Sequence, residues 1–159
     1  MKKYEFTGEV KTYLGKTLHR IKSVVSFGIV VKGEIGGWIE SEKNLSQDGN
    51  AWVYGNADVS GNAEVSGNAR VSGDAWVYGD AWVYGNAHFM VIGAIGSRFD
   101  FTTFFRNKEN GISVKCGCFY GTIAEFRAKV TETHGTDTKF AKVYQAAADL
   151  AEMQIELKK

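Results

Sequence analysis

The feature that most constrains this chain is a six-residue repeat, Gly-Asn/Asp-Ala-x-Val-Ser/Tyr, which runs without a break from Gly49 to Tyr84. A seventh, looser copy follows over residues 85–90. A short fixed period of this kind is typical of a β-helix, in which each repeat supplies one short strand and one turn. The sequence therefore predicts a left-handed parallel β-helix with three repeats in each coil, so that residues eighteen apart are stacked.

The alternation of side chains along a strand separates an inner set from an outer set in every repeat. The Ala and Val positions fall on one side, and two such small residues fill only a narrow interior. Ile39 and Leu45 precede Ala51 at the same six-residue spacing and therefore also fall at inward positions. The predicted β-helix thus occupies residues 37–90. We predict that its core consists of Ala51, Val53, Ala57, Val59, Ala63, Val65, Ala69, Val71, Ala75, Val77, Ala81 and Val83.

Two flanks complete the predicted architecture. Residues 1–36 alternate apolar and polar side chains between glycines, which indicates short strands that form an N-terminal β cap on the first coil. After Met90 the repeat ends, and residues 91–159 predict a small C-terminal α+β appendage. The fold class is therefore mainly β.

Turn and capping signals predict the elements of the appendage. Asn110-Gly111 is a hairpin signal between two alternating runs. Thr122 and Glu125 form a capping box that opens a helix, and a last helix is expected from about Thr138 because apolar residues recur there at helical spacing.

Composition excludes several classes of function. The net charge is +1, which gives no general case for nucleic-acid or membrane binding, although the repeat is acidic and both flanks are basic. The N-terminus does not read as a secretory signal, and no run of residues is apolar enough to span a membrane. The two cysteines make no disulfide framework, so a cytoplasmic location is expected.

Aromatic side chains at the outward positions of the repeat are unusual, because large aromatics on a surface commonly mark a contact with a partner. We predict that they form the interface of a homo-oligomer, with a trimer favoured and a dimer possible. Packing against the chain's own C-terminal helix and stacking on a ligand remain alternatives. The residues are Trp52, Tyr54, Trp76, Tyr78, Trp82 and Tyr84.

Two patterns suggest chemistry. His88 is the one histidine in the repeat and hence the candidate general base of an acyltransferase, although it lies in the weakest copy. The glycine-rich segment 93–98 and the basic residues near it suggest a site for a phosphate-bearing ligand. That predicted ligand site comprises Arg98, Arg106, Lys115, Phe104, Phe119 and Tyr120. Core packing is favoured for Cys116 and Cys118, and neither a metal nor a cofactor is predicted.

Two stretches carry a resemblance to a known group of proteins. Residues 32–46, followed by GNAWVYGNA, resemble the lead-in of bacterial and phage hexapeptide-repeat proteins, usually described as hypothetical proteins or transferases. The strings at 95–98, 102–106 and 115–119, the last containing Cys-Gly-Cys-Phe, are similar to the tail of a phage and prophage subset. The resemblance implies a left-handed β-helix, an oligomer and a phage setting, and it brings no catalytic residues.

These observations lead to one functional hypothesis and two alternatives. The chain is expected to be a non-catalytic, oligomeric phage or prophage protein that counters host defence by sequestering a nucleotide-like small molecule or by covering a host defence protein. The alternatives are an acyltransferase-like hexapeptide enzyme, in which His88 would act, and a purely structural assembly module.

Overall fold

The computed structural model describes residues 2–158, which form thirteen strands, two α-helices and two single turns of 3₁₀ helix. The strands are β1 Tyr4–Tyr13, β2 Lys16–Ser23, β3 Ile35–Ile39, β4 Trp52–Val53, β5 Asp58–Val59, β6 Glu64–Val65, β7 Arg70–Val71, β8 Trp76–Val77, β9 Trp82–Val83, β10 Phe89–Ile95, β11 Asp100–Arg106, β12 Ile112–Cys116 and β13 Phe119–Thr122. The helices are α1 Ile123–His134 and α2 Lys139–Gln154, and the 3₁₀ turns are Glu42–Asn44 and Asn86–His88.

The repeat strands pair in parallel at the predicted spacing of eighteen residues. Trp52 of β4 lies opposite Arg70 of β7, and Asp58 of β5 lies opposite Trp76 of β8. Strand β6 pairs with β9 in the same way. The stacking of residues eighteen apart is therefore confirmed.

The prediction of a single left-handed parallel β-helix is wrong. The strands belong to separate small sheets: a five-stranded mixed sheet in the order β1-β2-β3-β5-β8, a four-stranded antiparallel sheet of β10 to β13, and the two-stranded sheets β4-β7 and β6-β9. One reason is that a Gly-Asn or Gly-Asp corner in every repeat leaves strands of only two residues. Gly55, Gly61 and Gly67 adopt φ of 53°, 68° and 63° at these corners. A second reason for the separate sheets is that both flanks fold as antiparallel hairpins.

Two hydrophobic cores hold these sheets together. The twelve predicted alanines and valines are all buried, as are Ile39 and Leu45, so the inward phase of the repeat is confirmed. A second core lies between the antiparallel sheet and the two helices, where Phe104 and Phe126 meet edge to face at 5.7 Å. Phe105 of the same sheet instead joins the core of the repeat, so β11 contributes to both cores.

Local signals in the C-terminal part place its hairpin turn and the starts of its two helices as predicted. Asn110 has φ of 60° in the turn between β11 and β12. Thr122 and Glu125 form both hydrogen bonds of the capping box, and α1 ends at Gly135. The Thr138 side chain accepts a bond from the amide of Ala141 at the start of α2. These predictions are confirmed.

We predict that Ala63→Leu destabilises the repeat, whereas the neighbouring Glu64→Leu does not. Ala63 is completely buried in the narrow interior, so additional methylene groups would overpack it at a cost of about 1–3 kcal/mol. Glu64 is exposed, so a leucine at this position should lower the free energy of unfolding much less. Urea unfolding of both variants measures the difference. Equal losses of stability would contradict the assignment of Ala63 to the interior and Glu64 to the surface.

Candidate functional site

The outward aromatic residues of the repeat are covered by the chain's own flanks. Trp52 is fully buried, with the rings of Tyr4 and Phe27 packed against it at centroid distances of 6.2 and 5.4 Å. Tyr54 is half-buried and also packs against this core. The N-terminal segment therefore encloses Trp52, whereas Tyr54 keeps part of its surface exposed.

The second pair, Trp76 and Tyr78, lies under both flanks. The Nζ atom of Lys115 is 4.3 Å from the Trp76 ring centroid and 5.1 Å from that of Tyr78. Tyr13, at the tip of the β1-β2 hairpin, lies 5.1 Å from Trp76, and Tyr120 lies 5.0 Å from Tyr78. This pair therefore joins the N-terminal hairpin to the C-terminal sheet.

The third pair, Trp82 and Tyr84, is covered by cations. The guanidinium carbon of Arg106 lies 5.0 Å from the Trp82 centroid and 4.2 Å from that of Tyr84, and its Nη1 donates to the Tyr84 hydroxyl. Lys158 approaches Trp82 to 4.1 Å. Because Arg106 is only 1% exposed, it is a packing residue and is not available to a ligand.

His88 caps a backbone amide and does not stand in an open cleft. Its Nδ1 accepts a hydrogen bond from the amide of Tyr84 at 3.2 Å, and its ring meets that of Tyr84 edge to face at 4.3 Å. Burial lowers the pKa of His88, nearby Arg106 lowers it further, and Glu156 opposes the change. The geometry favours a neutral, structural imidazole.

The predicted ligand site is not brought together as one set. Lys115 and Arg106 are used against the aromatic pairs, and Phe104 is completely buried in the second core. The hydroxyl of Tyr120 accepts a bond from the Asp80 amide at 3.1 Å. Only Arg98 and Phe119 of the predicted six line the same cavity. The reason is that β11, β12 and β13 alternate their side chains between the repeat on one face and the helices on the other.

The cavity that contains Arg98 and Phe119, here called the tail cavity, has a volume of about 200 Å³. It lies between the turns at the tip of the antiparallel sheet and one face of α1. Its polar residues include Arg98, Lys129 and His134, and its apolar wall includes Phe126 and Tyr144. The complete lining is Ile95, Ser97, Arg98, Asp100, Cys116, Gly117, Cys118, Phe119, Phe126, Lys129, Val130, Thr133, His134 and Tyr144.

The glycine-rich segment forms one wall of this cavity. Gly96 has φ of 77°, and a Cβ atom at this position would collide with the Tyr144 ring. A residue without a side chain is therefore needed for the turn to approach α2. This close approach places Ser97 and Arg98 at the edge of the tail cavity.

The two cysteines also line the tail cavity. The Thr102 hydroxyl donates to Cys116 Sγ at 3.3 Å, and burial raises the pKa of this thiol. Cys118 is exposed. A protonated, half-buried Cys116 is a poor nucleophile, so this thiol serves as part of the wall.

Sequence reasoning did not identify the contribution of α1. Phe126, Lys129, Val130 and Thr133 lie three or four residues apart, which places them on one face of a helix. The helix itself was predicted from its capping box, so the spacing was visible in the sequence. The partner of that face was not visible, because it depends on how α1 packs against the sheet.

The described residues include neither a candidate metal-ligand group nor a candidate membrane-spanning helix. Within residues 2–158, no group of three His, Cys, Asp or Glu side chains is placed to hold a metal ion. Neither α1 nor α2 is long and apolar enough to cross a bilayer.

Comparisons with known proteins give limited information. No model of a known protein family matches the chain. A segment of 51 residues, 32% of the chain, is 39% identical to the uncharacterized acetyltransferase YdcK of Escherichia coli (strain K12). This segment corresponds to only 15% of that protein, so the similarity concerns a small part of a much longer relative.

We predict that His88 makes stability depend on pH. Because its pKa is lowered in the folded chain, the unfolded chain binds the proton more readily. The contribution of His88 to the free energy of unfolding should be constant above the ordinary histidine pKa of about 6.5 and decrease as the pH falls below it. Urea unfolding across this range measures the decrease.

His88→Phe should remove this pH-dependent component. It should also cost about 1–3 kcal/mol at neutral pH, because the Tyr84 amide loses its acceptor. The matched control is His19→Phe, since His19 stacks on Phe6 within the N-terminal hairpin and caps no amide of the described repeat. An unchanged pH dependence in His88→Phe would contradict the capping role.

Proposed function

We propose that this chain is a non-catalytic binding protein that holds a phosphate-bearing aromatic molecule, such as a mononucleotide, in the tail cavity. The observation that carries the proposal is the meeting of Arg98, Lys129 and His134 with the rings of Phe119 and Tyr144 around one open cavity. A phosphate needs cationic donors, and a base needs an apolar or aromatic surface.

The charges of the tail cavity support an anionic ligand, because Arg98 and Lys129 outnumber its one carboxylate, that of Asp100. Among residues 2–158, Arg98 makes no ion pair, and its side chain is exposed. Lys129 is 3.8 Å from Glu132, but both side chains are more than half exposed, so this pair is weak. Arg98 is therefore available to form a bidentate contact with a phosphate.

The size of the cavity restricts the ligand. Its volume of about 200 Å³ is below the range of about 300–1,000 Å³ that is usual for sites that enclose a drug-sized molecule. We therefore propose a mononucleotide or a ligand of similar size, part of which stays in solvent.

The biological setting is part of the same proposal. The resemblance to phage and prophage proteins supports a role in which the bound molecule is withdrawn from a host defence response, in the cytoplasm of the host cell. Free Cys116 and Cys118 are compatible with a reducing compartment. The alternative form of this proposal, which needs no small molecule, is that the chain binds and covers a host defence protein.

We predict that Arg98→Ala weakens binding of a nucleotide ligand by about ten- to a hundredfold, as expected for the loss of a charge-assisted contact. Isothermal titration calorimetry with linear and cyclic mononucleotides and with ADP-ribose measures the affinity. Lys129→Ala should have a smaller effect in the same direction, because its side chain is more flexible.

Arg70→Ala is the matched control, because Arg70 is an exposed arginine of the repeat, outside the tail cavity. It should bind like the unmodified chain, and the urea midpoint of Arg98→Ala should be unchanged. The absence of heat with every nucleotide would reject this ligand class.

The assembly state is a further part of the proposal. We propose a closed oligomer, with a trimer favoured, and the structure supplies candidate contacts other than the aromatic pairs. Exposed aliphatic side chains occur at Ile29 and Val31, in the segment that joins β2 to β3, and at Ile35, the first residue of β3. Such a group of exposed apolar residues is typical of a subunit contact.

Light scattering of the unmodified chain should give a mass above that of a monomer, and Ile29→Lys with Val31→Lys should reduce it. Met153→Lys, which alters an exposed apolar residue of α2, is the control and should leave the mass unchanged. A monomer at micromolar concentration would contradict the proposed oligomer.

A second candidate function is acyl transfer, which the 39% identity to part of an uncharacterized acetyltransferase favours. The contacts of His88 weigh against it, because its Nδ1 accepts a backbone amide and its ring is buried. Acetyl-CoA turnover that disappears in His88→Phe while the fold is retained would favour this alternative. If neither assay gives a signal, a structural assembly module is the better explanation.

A further inference from the structure

A second cavity, here called the aromatic cleft, separates the N-terminal hairpin from the tip of the antiparallel sheet. Its volume is about 490 Å³, larger than that of the tail cavity and within the range of about 300–1,000 Å³ usual for ligand sites. Three segments contribute to it: Lys11 and Tyr13 from β1, Asp74 and Trp76 from the repeat, and Phe101 from β11. It shares only Asp100 and Gly117 with the tail cavity.

The two lysines of the aromatic cleft are already engaged by the protein. Lys11 Nζ is 2.9 Å from Asp58 Oδ1 and 4.6 Å from the Trp38 ring centroid. Lys115 is 6% exposed and lies over Trp76, and burial lowers its pKa. Neither ammonium group is therefore free to receive an anion, which distinguishes this cavity from the tail cavity.

The groups that remain available in the cleft are carboxylates and aromatic rings. Asp74 and Asp100 are exposed, and neither forms an ion pair within residues 2–158. Tyr13 is 46% exposed and Phe101 is 38% exposed, so both rings present surface to solvent. The Tyr13 ring is inclined at 53° to that of Trp76, which gives the cleft two aromatic faces of different direction.

We propose that the aromatic cleft binds an organic cation, namely an alkylammonium group on a hydrocarbon chain. The exposed rings of Tyr13 and Phe101 attract a cation through their π-faces and cover its methylene groups. Asp74 and Asp100 supply the opposite charge, while the pairing of Lys11 with Asp58 keeps that ammonium group from competing with the ligand for these carboxylates. The site shares Asp100 and Gly117 with the tail cavity, but its other lining residues are its own, and the proposal does not depend on nucleotide binding.

The repeat itself provides a conservative variant for the test. The corner occupied by Asp74 is asparagine in the repeats at Asn56, Asn62 and Asn68, so Asp74→Asn restores a residue that this corner accepts. Asp80→Asn makes the same change at the next corner, outside the aromatic cleft. The two variants have equal net charge, which separates a local effect from a general electrostatic one.

Titration calorimetry with spermidine tests the proposal. The unmodified chain should bind it, Asp74→Asn and Phe101→Leu should each weaken binding by about tenfold, and Asp80→Asn should bind normally. Arg98→Ala should not weaken spermidine binding, because Arg98 lines only the tail cavity and its loss removes a positive charge near Asp100. A failure of the nucleotide proposal can therefore be distinguished from a failure of the cation proposal.

A second probe, Nα-acetyl-lysine amide, identifies the source of the cation. Binding of spermidine alone would indicate a free polyamine, and binding of both probes would indicate that a lysine side chain of a partner is also accepted. No heat with either probe at millimolar concentration would overturn the proposal. Equal weakening by Asp74→Asn and Asp80→Asn would also overturn it, since it would show non-specific attraction to an acidic surface.

Discussion

Backbone amides left unpaired at the end of the parallel ladders are the constraint on which the rest of the structure depends. An open ladder end presents donors that need partners and invites another strand to pair with it. In the last repeats these donors are satisfied by side chains rather than by another strand. The pairs are the Arg70 amide with Asn86 Oδ1, the Trp76 amide with Thr103 Oγ1, the Asp80 amide with the Tyr120 hydroxyl, and the Tyr84 amide with His88 Nδ1.

The first repeats are closed in a complementary way, because here carbonyl groups need donors. Lys3 Nζ donates to the Ala51 carbonyl at 2.8 Å, and the Tyr4 hydroxyl donates to the Leu45 carbonyl at 2.7 Å. Burial lowers the pKa of Lys3 to about 8, with Asp48 opposing the change. The N-terminal hairpin is thus tied to one end of the ladders and the C-terminal sheet to the other, which also explains why several small sheets replace one continuous β-helix.

Both proposed binding sites follow from this closure. The caps position the flanks over the repeat, and the aromatic pairs then bury against Lys115, Arg106 and Lys158 through cation–π contacts. The burial of Lys115 and Arg106 removes both from the predicted phosphate site and leaves Arg98 at the tip of the sheet. The turns around Asp100 and Gly117 then separate a basic cavity on one side from an acidic, aromatic cleft on the other.

The sequence by itself determined the features that depend on neighbours within a few residues or on a strict repeat: the inward Ala and Val positions, the stacking of Trp52 with Arg70, and the helix start at Thr122. It did not determine the sheet topology or the composition of either cavity. Those depend on contacts such as Tyr13 with Trp76, more than sixty residues apart in the chain. Periodicity reveals which side of a strand is buried, but only the tertiary structure decides what covers the other side, because any apolar or cationic surface of suitable shape can do so.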